Sequence, residues 1–193
     1  EELDARDDID AILVVHHYGI PDPQINSVTD KPLIEDCAAA LGARVHESVV
    51  GSFGSASVFS FYSTKMIAGG ECGAVASDPE SIEWVRTRRS PRGADDAATH
   101  FPYSPSDLNT ALAVEQLKRL NSFIERRRDI ADRYLEALSD MVHVASIQTG
   151  SEPVWHRFII ATHKPREQII EAAAGSGIRL GFGVKTPIHR LMN

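Results

Sequence analysis

The sequence predicts an α/β protein: a mainly parallel sheet with helices, followed by a smaller α+β region. Three observations carry this expectation. Ala11-Ile12-Leu13-Val14-Val15 is an unbroken apolar run, the pattern of a strand covered on both faces. Ser57-Val58-Phe59-Ser60-Phe61 is a second short run, rich in β-branched and aromatic residues, and reads as a buried strand. Beyond Val142 the pattern changes to a strand, a helix and a strand at residues 154–161, 165–174 and 178–180.

Taken in order, the first strand closes at His16-His17-Tyr18-Gly19. Pro21, Pro23 and Pro32 then leave room for little more than a two-turn helix around residues 24–28. Leu33-Ile34-Glu35-Asp36 is a brief strand ending in two carboxylates, and residues 37–41 can continue as a helical turn until Gly42. The strand at 57–61 runs into Tyr62-Ser63-Thr64-Lys65 and a loop holding Gly69, Gly70 and Gly73, after which Ala74-Val75-Ala76 resumes the sheet. Asp78-Pro79 opens a helix with an N-cap and a proline at the first position; it carries Ile82, Trp84 and Val85 and ends among arginines near Arg89. Residues 90–105 hold three prolines and Gly93 and read as a loop. Ser106 caps a long helical region, broken near Asn121-Ser122, whose second part carries an amphipathic stripe from Phe123 to Leu138. The expected organisation is therefore a large domain over 1–105, connecting helices over 106–140, and an incomplete small α+β domain over 141–193.

Composition narrows the function. The 193 residues are 42% hydrophobic and 24% charged, as in folded globular proteins. A formal net charge of −7 disfavours a nucleic-acid or anionic-membrane surface, and Arg86, Arg88, Arg89 and Arg92 read as a solvated helix end. No apolar run reaches membrane-spanning length. Cys37 and Cys72 lack metal-ligand or redox spacing, so a reducing, cytoplasmic setting is the expectation, with no metal assigned.

The chemistry is expected at Lys65. A lysine at the mouth of a buried strand, in a loop of small residues, stands where desolvation favours its neutral, nucleophilic form. Asp36 at a strand end and Ser60 in the next strand line up with it. Each has a plainer reading when taken alone: Asp36 as a cap or ion-pair partner, Ser60 as polar filler, and His16 and His17 as structural histidines.

Together with their surroundings these residues resemble the DegT/DnrJ/EryC1/StrS family of sugar aminotransferases, which use pyridoxal phosphate on the fold-type-I scaffold. The matching text includes Val15-His16-His17-Tyr18-Gly19, Glu35-Asp36-Cys37-Ala38-Ala39-Ala40, Gly51-Ser52-Phe53-Gly54 and Phe59-Ser60-Phe61-Tyr62-Ser63-Thr64-Lys65. It continues through Gly70-Glu71-Cys72-Gly73, Gln116-Leu117-Lys118-Arg119-Leu120, Val154-Trp155-His156 and Pro187-Ile188-His189, in order along nearly the whole chain. The resemblance implies that Lys65 forms the Schiff base with the cofactor and then acts as general base. It implies that Asp36 pairs with the pyridine nitrogen, Ser60 donates to the phosphate and Ala38 packs against the ring. It further implies a nucleotide-linked keto-sugar substrate, glutamate or glutamine as amino donor, and a homodimer. His189 is either a substrate-side residue or an ordinary loop histidine.

The sequence departs from the family pattern at several places. Ala39 stands where the family has Gln or His, Pro102 where it has Asn, Met66 where it commonly has Asn, and Ser63 where it commonly has Pro. An N-terminal portion that in the family carries further strands, a phosphate-binding turn and a stacking aromatic has no counterpart before Ala11. These departures support an alternative expectation, a non-catalytic or truncated member that keeps the fold and binds the cofactor weakly or not at all. The family's dehydratases, which typically replace the lysine with histidine, are disfavoured by Lys65.

Overall fold

The computed structural model describes residues 6–27, 31–89, 101–138 and 140–181. The strands are β1 Ile12–Val15, β2 Leu33–Asp36, β3 Arg44–Val45, β4 Ser48–Val49, β5 Ala56–Ser60 and β6 Gly73–Ser77. The helices α1 Pro79–Arg89, α2 Asp107–Leu117 and α3 Leu120–Leu138 come next. β7 His143–Val144, β8 Ser151–Glu152, β9 Ile160–Ala161 and α4 Arg166–Gly175 complete the order. Two compact units result: Glu1–Arg133 with Ile147–Phe158, and Tyr134–Ser146 with Ile159–Asn193.

The first unit is built on a four-stranded sheet in the order β1-β2-β5-β6, with β1, β2 and β5 parallel and β6 antiparallel. The fold is thus α/β, as the apolar runs predict. Parallel neighbours need crossovers, and both are short. Between β1 and β2 the expected two-turn helix is a 3₁₀ helix at Pro23–Ser27, as suits a proline-interrupted segment short of backbone donors. Between β2 and β5 the chain makes the β3–β4 hairpin, which extends to β8 through Arg44 paired with Glu152 and Val45 with Ser151.

Alternation divides the sheet into two unlike faces. On one face Ile12, Leu33, Glu35 and Ser57 are buried, over a core that includes Ile25, Ala40, Val45, Val50, Met66, Ile124 of α3 and Val154. On the other face Leu13 (62% exposed), Val15, Ile34, Val58 and Val75 meet solvent. The register sets Leu13 beside Ile34, and Val58 beside Val75, so these side chains form one apolar surface. The expectation of strands covered on both faces is corrected here. Burial on both sides needs a layer on each side, and the described residues supply one.

The caps form as the residue types require. The Asp78 carboxylate accepts from Glu80 N (2.9 Å) and Ser81 N (3.0 Å) to start α1, and Ser106 Oγ accepts from Asn109 N (3.2 Å) to start α2.

The second unit holds the β7–β9 ladder, which pairs His143 with Ala161 and Val144 with Ile160, and helix α4. A continuous strand over 154–161 does not form. Trp155 has φ +50°, a left-handed conformation incompatible with a strand, so the chain leaves β8, bends, and re-enters a ladder only at Ile160. Residues 178–180 form no ladder either; Ile178 N donates to Ala173 O (2.8 Å) and closes the end of α4. Among the described residues no helix is long and apolar enough to cross a membrane.

Candidate active site

The site is assembled where the parallel strands end. Asp36 is the last residue of β2 and lies in register with Val58 of β5. Ser60, two residues on, therefore shares Asp36's face of the sheet. In open parallel sheets the carboxyl ends of the strands are where ligands bind, so this is the place the topology offers for chemistry. Asp36, Ala38, Ser60 and Lys65 all belong to the first unit and are all half-buried, neither sealed from solvent nor fully in it.

Each side chain has a local reason for its position. Asp36 Oδ1 accepts from Ala38 N (2.9 Å), turning the chain sharply after β2 and leaving the second carboxylate oxygen without a partner among the described residues. Cys37 N donates to Val58 O and Ala40 N to Cys37 O (2.9 Å each), so the turn bearing Ala38 is fastened to β5 and to itself. Ser60 Oγ accepts from Tyr62 N (3.3 Å), which leaves its own proton free to donate. Lys65 sits in a loop pinned at its base, where Phe61 N donates to Cys72 O (2.9 Å) and Gly69 N to Phe61 O (2.7 Å). Buried Met66 and Ile67 anchor it from the next two positions. The residue after the lysine is thus a core residue here, which accounts for methionine at that position.

The two carboxylates that end β2 do different work, because alternation sends them to opposite faces. Glu35 points inward and is fully buried. Its Oε2 accepts from Gly51 N (2.6 Å) and lies 3.1 Å from His16 Nε2; its Oε1 accepts from Phe53 N (2.7 Å) and Gly54 N (2.8 Å). Burial pushes this carboxyl upward, but His16 and the three backbone donors outweigh it and hold Glu35 below the usual carboxylate range. The network ties β1, β2 and the turn before β5 together directly behind Asp36. Glycine at 51 serves a φ of +91° that other residues rarely adopt. His16, Glu35 and Cys37 also bring possible ligand atoms within 4.8 Å of one another. Glu35's oxygens are already engaged, and burial beside Glu35 and Asp36 pushes the Cys37 thiol up to about 12, so the thiolate a metal needs is suppressed. These groups fit a structural hydrogen-bond network better than a metal site.

One half-buried residue beside the turn after β1 was not assigned a role from the sequence. His156 lies on the segment between β8 and β9, which packs with the first unit and against the turn after β1: Val154 N donates to Gly19 O (2.9 Å) and Arg157 N to Tyr18 O (3.2 Å). Gly19 has φ +81°, and a Cβ there would lie 2.8 Å from His156 N and 2.9 Å from Ala39 O. The turn at Gly19 is therefore packed against both this segment and the turn that carries Ala38. The signal was present as Val154-Trp155-His156, but no local pattern assigns such a histidine to a site 91 residues upstream. Ala39, by contrast, offers only a methyl group, and Pro102 is exposed, so neither supplies a polar side chain to a ligand. His189 lies outside the described residues.

Tested against pyridoxal phosphate, the residues present fit in kind. There is an amine on a pinned loop, a carboxylate with one oxygen unengaged, a hydroxyl with a proton to give, and a small side chain two residues after the carboxylate.

The chain is 29% identical to a dTDP-3-amino-3,4,6-trideoxy-alpha-D-glucose transaminase of Micromonospora megalomicea subsp. nigra, over 94% of this chain and 53% of that protein. It is 34% identical to a GDP-perosamine synthase of Vibrio cholerae, over 68% of this chain and 39% of that protein. The crystal structure of S. venezuelae DesV in complex with a ketimine intermediate superposes with a TM-score of 0.82 at 28% identity, covering 93% of this chain and 51% of DesV. The chain thus spans about half the length of the relatives it matches. Residues 5–192 match the model of the DegT/DnrJ/EryC1/StrS aminotransferase family, and the chain belongs to that family.

Proposed function

We propose that this chain carries the lysine-bearing half of a pyridoxal-phosphate-dependent aminotransferase acting on a nucleotide-linked keto sugar in amino-sugar biosynthesis. The observation that carries the reading is the placement of Asp36 and Ser60 on one face at the carboxyl ends of adjacent parallel strands, with Lys65 on the pinned loop that follows. The names of the relatives, a dTDP-amino-sugar transaminase and a GDP-perosamine synthase, support the substrate class.

Pyridoxal phosphate, when bound, supplies an electron sink for the carbon that loses its proton. The residues of the chain do the rest. Lys65 would hold the cofactor through its amine and, when that amine is free, would serve as the general base at the reacting carbon. Asp36 holds a proton on the ring nitrogen through the carboxylate oxygen that Ala38 N leaves free. Ser60 gives its hydroxyl proton to the phosphate, and Ala38 presents a methyl small enough for a ring to lie against. Glutamate or glutamine as donor, a homodimer as the working assembly, and residues 1–105 as part of the cofactor-binding domain complete the reading.

The test is chemical trapping. The chain is incubated with pyridoxal phosphate, reduced with borohydride, digested and mapped by mass spectrometry. A pyridoxyl group on Lys65, absent from Lys65→Met, is the expected result, and its loss on prior addition of L-glutamate extends the result to the amino donor. A label spread over surface lysines overturns the reading.

A second reading, a family member that keeps the fold without turnover, is favoured by Ala39, by Pro102 and by the uncovered apolar face. It predicts weak trapping at Lys65 and no loss of label with any amino donor.

A further inference from the structure

One residue holds the strand end that bears Asp36 at two points. The peptide unit joining Asp36 to Cys37 is gripped from both sides: its carbonyl accepts from His16 N (3.1 Å), and its N–H donates to Val58 O (2.9 Å). His16 also reaches the residue before Asp36 through its ring, whose Nε2 lies 3.1 Å from Glu35 Oε2. Both side chains of that pair are fully buried. A carboxylate can only accept, so the hydrogen-bond network assigns the ring hydrogen to Nε2. Nδ1 is then a bare acceptor, buried and without a partner among the described residues. An unpaired buried nitrogen costs free energy that an apolar side chain would avoid, so packing alone does not account for a histidine here.

We propose that His16 is a positioning residue for Asp36: its backbone N–H on the Asp36 carbonyl and its ring on Glu35 fix the strand end from which the Asp36 carboxylate serves the cofactor's ring nitrogen. The role rests on the reading of Asp36 as the partner of that nitrogen. Pleating sends Glu35 and Asp36 to opposite faces, so whatever fixes Glu35 also fixes the direction of the next side chain. Glu35 is held by His16 at the end of β1 and by Gly51, Phe53 and Gly54 in the turn before β5. Without the ring of His16, the three remaining donors all come from that one turn, and nothing at the end of β1 opposes a rotation of Glu35 toward them. The side chain of Asp36 has its own bond to Ala38 N, but this fixes the turn that follows and not the strand. Hydrogen bonds weaken steeply with misalignment, so a small rotation at Glu35 is felt at the second oxygen of Asp36.

The experiment has two arms on the 193-residue chain. The first is amide hydrogen exchange of the wild type without cofactor, followed by NMR. Protection of Ala38, Gly51, Phe53 and Gly54 is expected to agree within about tenfold, as in one cooperative unit. An Ala38 amide protected more than about tenfold less than the other three means that the turn at Asp36 moves independently of the Glu35 network, and overturns the proposal. The second arm titrates the visible band of the pyridoxal-phosphate-loaded chain against pH in the wild type, His16→Asn and His16→Gln, each with and without Asp36→Asn. Asparagine keeps the backbone bond but is too short to reach Glu35, whereas glutamine can set an amide N–H where Nε2 stood. His16→Asn is expected to move the midpoint by at least about one pH unit, a tenfold change in protonation, and His16→Gln to restore most of it. With Asp36→Asn present, the asparagine change is expected to move the midpoint no further, because a residue that acts through Asp36 has nothing left to act on. An unmoved midpoint in His16→Asn, no recovery in His16→Gln, or an equal displacement in both backgrounds makes His16 a packing residue and overturns the proposal. Should His16→Asn fail to fold, the exchange arm, which needs no variant, decides. Absence of any Lys65-dependent band in the wild type refutes the cofactor reading instead, and the proposal falls with it.

Discussion

Replacing Gly19 with alanine tests the contact on which the site's assembly depends. The added Cβ would lie 2.8 Å from His156 N, 2.9 Å from Ala39 O and 2.9 Å from Val154 Cγ2, on a backbone with φ +81°. The conformation alone costs about 1–2 kcal/mol for a residue with a side chain. Two of the three atoms in the way are backbone, and each is fixed: His156 lies between the Val154 and Arg157 hydrogen bonds, and Ala39 lies in the turn closed by Ala40 N to Cys37 O. Relief must therefore come from separating the two segments, which costs about 1–3 kcal/mol as overpacking. The expected loss is about 2–5 kcal/mol, a large share of the roughly 5–15 kcal/mol that holds a typical domain folded. Urea denaturation followed by Trp155 fluorescence, in a Trp84→Phe background so that one tryptophan reports, measures it. Gly177→Ala is a useful contrast, because φ is also positive there (+74°) but nothing lies within 4 Å of the new Cβ, so only the conformational cost applies. A loss below about 1 kcal/mol for Gly19→Ala would mean that the segment bearing His156 and the turn bearing Ala38 do not close on Gly19, contrary to the structure.

Glu35→Gln sets an amide NH₂ among donors that need an acceptor, and is expected to cost about 3 kcal/mol in chemical denaturation. Because Glu35 titrates below its unfolded value, its contribution is present above the unfolded carboxylate range and fades as pH falls through the lower folded value; the stability of Glu35→Gln should therefore lose that acid-side slope. Asp36→Asn keeps an oxygen for Ala38 N and so keeps the turn, but removes the charge that would hold a proton on the cofactor ring; turnover is expected to fall about 10²–10³-fold with the circular dichroism spectrum unchanged. Ser60→Ala is expected to weaken cofactor binding about tenfold to a hundredfold by equilibrium dialysis, the worth of one hydrogen bond to a charged group. The triple change Leu13→Thr, Val58→Thr and Val75→Thr should reduce binding of an apolar fluorescent dye without altering secondary structure, since all three side chains lie on the exposed face of the sheet.

Much of this protein is local, and local features are legible in a sequence. The N-caps at Asp78 and Ser106 form because a short side-chain acceptor precedes a run of unsatisfied backbone donors, whatever the rest of the chain does. The strands β1, β2, β5 and β6 follow from short apolar runs between turn residues, and the order of the motifs from Val15 to His189 is enough to name the family and to nominate Asp36, Ser60 and Lys65. Residues 154–161 defeat the same reasoning, because their alternation is overruled by a left-handed Trp155 whose backbone is held by Arg127.

What the residues by themselves determined is therefore where the caps and the strands of the main sheet fall, and which side chains are candidates for chemistry. What only the tertiary structure decided is which of those side chains meet. The parallel register sets Asp36 beside Val58 and hence Ser60 on its face, and pleating turns Glu35 away from Asp36 into a cradle of backbone N–H groups. A contact spanning more than 130 residues of chain brings His156 to the turn after β1. The apolar runs likewise predicted burial on both faces, where the structure leaves Leu13, Val15, Ile34, Val58 and Val75 open. Hydrophobicity is a property of a residue, whereas its burial depends on what another part of the polypeptide places above it.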